Sequence, residues 1–241
     1  MVVIRAALLL AAVVQTGRGE ILTNGGFETG DLSLWTVTIP TGTSSGGGVE
    51  PAGTVEVVAS FSRVGGEYVY VAPHGGDYFA AIGSANSAYF TNVGSVYDVT
   101  AGRTLTLLEG QTVSGWAVFY NGDFEAQDTA SVRVFDSIGQ LVSTPWSDTS
   151  GFTSPGGVPF LSASEWTSWQ WQAPAAGDYT IEVGVTTRGD DRFASFGLFD
   201  DITVQPVPEP SVVALIGGGL GLLGAVRRRF VPAGRQPVTD R

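Results

Sequence analysis

Tyr179-Thr180-Ile181-Glu182-Val183-Gly184-Val185 alternates apolar with polar or small residues. In an extended chain, successive side chains point to opposite faces, so positions 179, 181, 183 and 185 share one side. This pattern is typical of an antiparallel strand with one face on a core and the other in water. Trp169 and Trp171 repeat the pattern, so we expect both indoles in the core, opposite Ser168, Gln170 and Gln172, with a ligand platform as the alternative.

Segments rich in β-branched and aromatic residues, each bounded by turn residues, predict ten strands. They span residues 34–39, 54–60, 67–72, 78–82, 88–93, 111–120, 130–135, 166–172, 179–187 and 196–204. No long helical periodicity interrupts them. The sequence therefore predicts an all-β fold, a two-sheet antiparallel β-sandwich of the jelly-roll type, in one domain over residues 20–206. Residues 41–48 and 147–164 are rich in Gly, Ser, Thr and Pro, which predicts surface loops.

The C-terminal part of the chain has three consecutive features. They are Val207, Pro208, Glu209 and Pro210, then the uncharged stretch 211–226, then Arg227, Arg228 and Arg229. As a helix, the uncharged stretch reaches roughly 24 Å, somewhat less than the roughly 30 Å of a hydrocarbon core. The arginines enter lipid only at high cost, so we expect them on the cytoplasmic side and residues 20–210 outside. A plain C-terminal anchor is the alternative interpretation.

This three-part tail resembles the PEP-CTERM sorting signal of Gram-negative bacteria, over residues 207–229. In that family an exosortase-type transpeptidase processes the anchor near the Pro-Glu-Pro. The resemblance implies a sorting signal with a transmembrane helix over residues 207–230 and a cytoplasmic trailer over 231–241. It also implies export through the inner membrane, a precursor held in that membrane by the C-terminal helix, and a final place at the cell surface or outside the cell.

The N-terminus agrees with export. Arg5 precedes an unbroken apolar run over residues 6–14, and small residues follow at Thr16, Gly17 and Gly19. A basic residue, a short apolar segment and small residues are the features of a secretory signal peptide. We expect a signal helix within residues 1–19 and a mature start between Gly17 and Glu20, with an uncleaved anchor as the alternative.

Charge and composition exclude several classes of function. All 12 basic residues are Arg, and residues 20–210 hold five of them against 22 carboxylates, a net charge of −17. Such a surface repels nucleic acid. The chain has no Cys, which excludes cysteine nucleophiles and thiolate zinc sites. The single histidine, His74, lies in a turn-like Pro-His-Gly-Gly sequence without a nucleophile motif, so we expect no enzyme; a glycoside-active enzyme is the third alternative.

The two ends of the predicted domain resemble jelly-roll carbohydrate-binding modules of the galactose-binding-like fold. The matching sequences are NGGFETGDLSLW at residues 24–35 and FDDITV at residues 199–204. In those modules a structural calcium ion bridges an N-terminal Glu and a C-terminal Asp, which implies Glu28 and Asp201 as metal ligands here, with Asp77 as a third. In the alternative interpretation, these carboxylates cap turns and bind backbone amides at a sheet edge. Asp123, Asp128, Asp190 and Asp191 form a second candidate acidic group.

Residues 114–120, 123, 128–134, 166–169 and 177–180 are similar to a module of large bacterial surface and adhesin-like proteins. This likeness supports a structural or adhesive surface protein without a glycan pocket, which we keep as the alternative to a sugar-binding protein.

Sugar binding requires aromatic rings beside polar side chains, because apolar sugar faces stack on rings while hydroxyl groups need hydrogen bonds. The candidate rings are Trp35, Trp116, Tyr120, Trp146, Phe152 and Trp166. Of these, we predict Trp146, Trp166 and Tyr120 as ligand-binding residues. Trp146 opens a polar loop, and its alternative role is to anchor that loop. Tyr68 and Tyr70 share one side of a strand, as a surface pair or as core. The leading expectation is non-catalytic binding of extracellular polysaccharide, with calcium as a structural ion.

Overall fold

A computed structural model describes residues 22–43, 47–64, 68–84, 96–123, 128–151, 157–188 and 193–207. All regular structure in these ranges is β-strand, and they contain no helix that could span a membrane. The strands belong to one compact unit, Met1–Pro206, and a second unit, Val207–Arg241, follows it. The signal peptide, the sorting tail beyond Val207 and the predicted strand 88–93 lie outside the described residues and stay predictions.

The all-β prediction is confirmed, with fifteen strands in the described ranges. They are β1 (Thr36–Thr38), β2 (Thr41–Thr43), β3 (Val49–Pro51), β4 (Thr54–Val58), β5 (Phe61–Val64), β6 (Tyr68–Val71), β7 (Phe79–Gly83), β8 (Val96–Leu107), β9 (Thr112–Asn121), β10 (Thr129–Asp136), β11 (Leu141–Thr149), β12 (Ser162–Ala163), β13 (Thr167–Gln172), β14 (Gly177–Arg188) and β15 (Phe196–Gln205).

The strands form two large antiparallel sheets and two small ribbons. The first sheet has the order β1-β8-β14-β10-β11, and the second has the order β12-β9-β15-β7-β4. Strand β13 pairs with β9 beside β12, along the same edge. The ribbons are β2-β3 and β5-β6, and we call the latter the tyrosine ribbon.

The main core lies between the two large sheets. Val99, Val132 and Val183 from the first sheet and Ala117 and Phe199 from the second all belong to one buried cluster. The predicted alternation in β14 is confirmed, because Tyr179, Ile181, Val183 and Val185 are all buried there. Two facing sheets with a shared apolar interior are the arrangement that the sequence predicted; the jelly-roll connectivity stays a prediction.

A second, smaller apolar cluster lies on the opposite face of the second sheet. Val118, Tyr120, Phe196 and Leu198 from that sheet pack there against Phe61 of the tyrosine ribbon. The ribbon thus covers part of the face that points away from the first sheet, which we call the outer face of the second sheet.

Two long strands contradict the sequence analysis. Strand β8 was not predicted, although it pairs with β14 along twelve residues. Strand β11 was interpreted in part as the start of a loop, yet it runs to Thr149 and forms an edge of the first sheet. Pro145 lies within it, and an edge strand tolerates Pro because one row of its backbone groups needs no partner.

The two predicted surface loops contain more regular structure than expected. Residues 41–43 of the first loop form strand β2, which pairs with β3. Within the second, residues 147–149 belong to β11, and residues 162–163 form β12 at the edge of the second sheet. Extended segments rich in Ser and Thr pair as edge strands here because a neighbouring strand supplies the hydrogen bonds, a contribution that local composition does not reveal.

Candidate functional site

The outer face of the second sheet has an open half beyond the ribbon. Strand register places Ser114 opposite Gln170 and Trp116 opposite Ser168, between β9 and β13. On the other side of β9, Thr203 of β15 lies opposite Ser114. Residues directly opposite each other in antiparallel strands point to the same face. Hydroxyl, amide and indole groups therefore stand together where no ribbon covers the sheet.

These side chains line a groove of about 400 Å³. Its lining residues, which we call the groove residues, are Ser114, Gly115, Trp116, Ser168, Trp169, Gln170 and Gln205. None of them is charged. The Ser114 hydroxyl lies 3.3 Å from that of Thr203, whereas Gln170 and Gln205 are exposed. The groove offers the half-buried Trp116 ring, beside the buried Trp169, together with amide groups that can donate and accept hydrogen bonds.

Trp116 is held from one side by an aromatic cluster. The His74 ring stacks on the Trp116 ring at 3.9 Å between centroids and 17° between planes. Trp166 meets His74 edge-on at 6.0 Å, and its indole Nε1 donates to the Ala72 carbonyl at 3.0 Å. Trp116 itself is half-buried. Because His74 already holds one face of the Trp116 ring, stacking of a ligand on this ring costs little side-chain entropy of Trp116.

Carboxylates hold the segment that carries His74, residues 72–77, which we call the His74 loop. Asp200 Oδ2 accepts hydrogen bonds from the backbone N–H groups of His74 at 2.8 Å and Gly75 at 3.1 Å. Asp201 Oδ2 lies 2.7 Å from His74 Nδ1. Glu28 accepts from the backbone N–H groups of Asp77 at 2.9 Å and Tyr78 at 3.3 Å. Each end of the loop is thus tied to a different part of the sandwich.

The close approach of these carboxylates requires the two glycines of the loop. A Cβ on Gly75 would lie 2.5 Å from Asp201 Oδ2, and one on Gly76 would lie 2.3 Å from Glu28 Oε1. Gly76 also has a φ of +61°, in the left-handed region that favours glycine. Asp201 has a φ of +51° at an irregularity in the pairing of β15 with β9, which turns its carboxylate toward the loop. The close approach of Glu28 and Asp201 therefore explains the two glycines in His74-Gly75-Gly76-Asp77.

The pKa of Asp200 is raised from an ordinary value of 3.8 to about 6, mainly by burial. The neighbouring negative charge of Asp201 adds to the rise, and hydrogen bonds from the backbone amides of Gly75, Asp201 and His74 oppose it. A carboxyl whose pKa is higher in the folded state stabilises the fold at low pH. We expect the contribution of Asp200 to the free energy of unfolding to be fully present below about pH 4 and to be lost as the pH rises through about 6. The expected loss is about 1 to 3 kcal/mol.

Comparison with Asp200→Asn tests this pH dependence. The variant cannot titrate, so the difference in free energy of unfolding, wild type minus variant, is expected to fall between pH 4 and pH 7. Urea denaturation at several pH values measures it. Parallel pH profiles for the two proteins would contradict the expectation.

The predicted calcium ligands meet at the His74 loop but are already engaged. Glu28 and Asp201 both face it, and Asp77 contributes its backbone N–H to Glu28. Within the described ranges, no group of three or more His, Cys, Asp or Glu side chains is placed to hold a metal ion. The observed contacts match the alternative interpretation, in which carboxylates bind backbone amides. A calcium site, which takes six to eight oxygen ligands, stays a prediction.

Thermal melts in calcium and in chelator test that prediction. Bound calcium at about a hundred times its Kd would raise the Tm by about 5 °C or more. Glu28→Gln and Asp201→Asn should each abolish the rise. Asp31→Asn is the control, since that carboxylate caps a turn by accepting from the Ser33 N–H at 3.0 Å. A Tm that is the same in calcium and in chelator would exclude the site.

The three predicted ligand-binding residues lie in different surroundings. Trp166 borders the groove through His74. Tyr120 is buried beneath the tyrosine ribbon, 5.4 Å from the Phe61 ring, and burial raises the pKa of its phenol. Trp146 is only 9% exposed, belongs to the main core and meets Phe199 edge-on at 6.0 Å. The prediction that Trp146 opens a polar loop is wrong, because its strand pairs with β10. Its position corresponds to the anchoring alternative.

The sequence analysis included Trp116 among the candidate rings but did not select it, and it missed the polar groove residues. One signal was present: Ser168 and Gln170 alternate with Trp169 and Trp171, which marks them as the outward side of that strand. Periodicity places them on the outer face, but only the pairing of β13 with β9 brings them beside Trp116.

The second acidic group is partly described. Asp123 and Asp128 are buried, and Asp128 accepts hydrogen bonds from the hydroxyls of Ser84 at 3.0 Å and Thr187 at 3.1 Å. Asp190 and Asp191 lie outside the described residues. Asp128, which directly precedes β10, therefore connects the ends of β7 and β14 to the start of β10. A metal-binding role for Asp128 stays a prediction.

No protein-family model and no curated protein matches the sequence. Solved structures do match. TmCBM61 in complex with β-1,4-galactotriose aligns with 78% of this chain and 99% of its own length, at 18% identity and a TM-score of 0.43. The K3 adhesin domain of Lys-gingipain from Porphyromonas gingivalis aligns with 77% of this chain and 99% of its own, at 16% identity and a TM-score of 0.43.

The enzymatically active domain of tailspike protein 4 from bacteriophage CBA120 also matches, over 76% of this chain and 21% of its own, at 13% identity and a TM-score of 0.41. Carbohydrate-binding modules recur among the other matches. This chain is thus similar to proteins of three kinds: a sugar-bound module, an adhesin domain and an enzymatic domain. Since one fold hosts many functions, and since all three TM-scores are below 0.5, function must be argued from the groove residues themselves.

Proposed function

We propose that the chain is an exported, non-catalytic protein that binds extracellular polysaccharide through the groove of the second sheet. The observation that carries the proposal is the joint placement of Trp116, Ser168 and Gln170 on one open face. A sugar ring presents an apolar C–H face and a rim of hydroxyl groups. A fixed indole with amides and hydroxyls beside it is complementary to both.

Charge narrows the class of polysaccharide. The groove residues are uncharged, while Glu28, Asp200 and Asp201 lie at the adjoining His74 loop. Residues 20–210 carry a net charge of −17. An acidic polymer would therefore be repelled during approach. A neutral polysaccharide is the proposed ligand.

The engagement of the nearby carboxylates supports binding without catalysis. Glycoside hydrolysis uses one carboxyl group as acid and a second as base or nucleophile on either side of the bond. Asp200 instead accepts from backbone amides of the His74 loop, and Glu28 does the same at the other end of that loop. These groups position the loop that supports Trp116.

Co-sedimentation tests the binding proposal. The full-length chain, in a detergent without a sugar headgroup, is mixed with exopolysaccharide purified from the organism that makes the protein. Saturable binding is expected, and Gln170→Ala should weaken it about fivefold, the effect of losing one or two hydrogen bonds. Gln140→Ala, at an exposed turn of the first sheet, is the matched control. Absence of saturable binding would favour the structural or adhesive alternative.

Export and sorting form a separate part of the proposal, which the N- and C-terminal motifs support. An exosortase-type enzyme would act at Pro208, Glu209 and Pro210, after the inner membrane has taken up the C-terminal helix. Replacing all three residues by Ala should leave the chain in the membrane fraction, while the wild type is released. Equal release of both, measured by immunoblotting of cell fractions, would contradict the sorting role.

A further inference from the structure

The tyrosine ribbon presents two aromatic rings to solvent. Tyr68 is 66% exposed and Tyr70 is 58% exposed, although tyrosine is on average an intermediate, partly buried residue. In the ribbon, Val64 pairs with Tyr68 and Ser62 with Tyr70. These four side chains point away from the sheet, because the alternate residues Phe61, Val69 and Val71 pack on it. The ribbon therefore covers the sheet with one face and displays tyrosines on the other.

The exposed rings lie on the same side of the molecule as the groove. Both the ribbon and the groove occupy the outer face of the second sheet, and the His74 loop lies between them. Strand β6 leads directly into that loop: Tyr70 is followed by Val71 and Ala72, whose carbonyl accepts from the Trp166 indole at 3.0 Å. At about 3.3 Å per residue, Tyr70 and His74 are at most roughly 14 Å apart along the chain. Tyr70 is thus only a short length of chain away from the aromatic cluster that holds Trp116.

We propose that the ligand is bound as a polymer, and that Tyr68 and Tyr70 form a second stretch of the binding surface for sugar units beyond the groove. This inference rests on the proposed function and names its ligand more narrowly. Two rings at i and i+2 stand about 6.6 Å apart along one strand and can stack on sugar units of one extended chain.

The size of the patch argues against a protein as its partner. The two tyrosines of the patch bury at most about 500 Å², and only the smaller side chains of Val64 and Ser62 lie beside them on the displayed face. A standard protein interface buries roughly 800 Å² on each partner. The only charged side chain of strand β5, Arg63, is exposed but lies on the opposite face of the ribbon from the tyrosines, with its guanidinium 4.4 Å from the Phe196 ring and 4.7 Å from the Phe61 ring. The displayed face of the ribbon is therefore narrow, linear and uncharged, which suits a neutral polymer.

The experiment compares the intact exopolysaccharide with short fragments from its partial hydrolysis, too short to reach beyond the groove. Calorimetric titration is carried out on the full-length chain and on the double variant Tyr68→Ala, Tyr70→Ala. The variant should bind the polymer about tenfold more weakly and the short fragments as well as the wild type does. Ile138→Ala, which removes an 83% exposed side chain from the turn between β10 and β11, is the control and should change neither affinity.

Three results would overturn the inference. They are an equal loss of affinity for polymer and fragments, no loss for either, and a lower sedimentation mass in the double variant, which would assign the tyrosines to self-association. Failure of the proposed function has a different signature, because the wild type would then bind neither ligand, or Trp116→Ala would bind both as the wild type does.

Discussion

Phe199→Ala is expected to lower the free energy of unfolding by about 3 to 5 kcal/mol, close to the whole stability of many domains. Phe199 is fully buried in the main core and meets the Trp146 ring of the first sheet edge-on. Its strand is fixed on both sides, since Phe199 pairs with Ala117 of β9 and with Ala80 of β7. The cavity left by the ring cannot collapse without breaking one of these ladders, so little of the loss is recovered.

Urea denaturation of the full-length chain measures this loss. Phe160→Ala is the matched control, because Phe160 is 44% exposed and the same atoms are removed. We expect the control to lose clearly less than Phe199→Ala, since nearly half of Phe160 stays in contact with water in the folded state. Equal losses in the two variants would contradict the packing of the two sheets through Phe199.

The strands that the sequence predicted well are those whose burial follows a strict period of two. In β14, Ile181 and Val183 face the core while Thr180 and Glu182 face outward. The same holds for β13, where both indoles face inward and the polar residues face out. In such strands a local pattern is sufficient, because a shift by one residue would expose every apolar side chain.

Strand β8 shows where this reasoning fails. Val99, Ala101, Leu105 and Leu107 all face the core, but Gly102 and Arg103 interrupt the apolar series. Gly102 lies opposite Glu182, and the pairing with β14 compensates for its low strand propensity. The Arg103 guanidinium is satisfied by the Thr23 carbonyl, which lies eighty residues away in sequence. Neither partner can be inferred from the residues around Gly102.

The sequence predicted the types of side chain at the candidate site, but not which of the aromatic rings would border an open groove. Trp116, Val118 and Tyr120 have the same periodicity on β9 and point to the same face. Tyr120 is buried and Trp116 borders an open groove because the tyrosine ribbon covers one half of that face and not the other. The pairing of β5 with β6 and its docking decide this, so a local pattern could not rank the two rings.

Trp116→Ala should weaken binding of the exopolysaccharide by about 30- to 100-fold, or 2 to 3 kcal/mol. The indole is half-buried at the groove, whereas Trp169 is only 4% exposed, and His74 stacks on the Trp116 ring at 3.9 Å between centroids. Trp116→Phe keeps a ring on the same Cβ and is expected to keep most of the affinity. Co-sedimentation isotherms measure both, with thermal melts to show that each variant is folded.

His74→Ala tests whether the fixed position of the Trp116 ring, and not only the presence of the ring, contributes to binding. The indole of Trp116 then remains, but its stacking partner and the contact of Asp201 with His74 are lost. If rigidity contributes to binding, the affinity should fall by about threefold to tenfold, between the wild type and Trp116→Ala, because the ring must be ordered when the sugar binds. A folded Trp116→Ala protein with wild-type affinity would show that the sugar is bound elsewhere, and Trp116 would then be only the packing partner of the His74 loop.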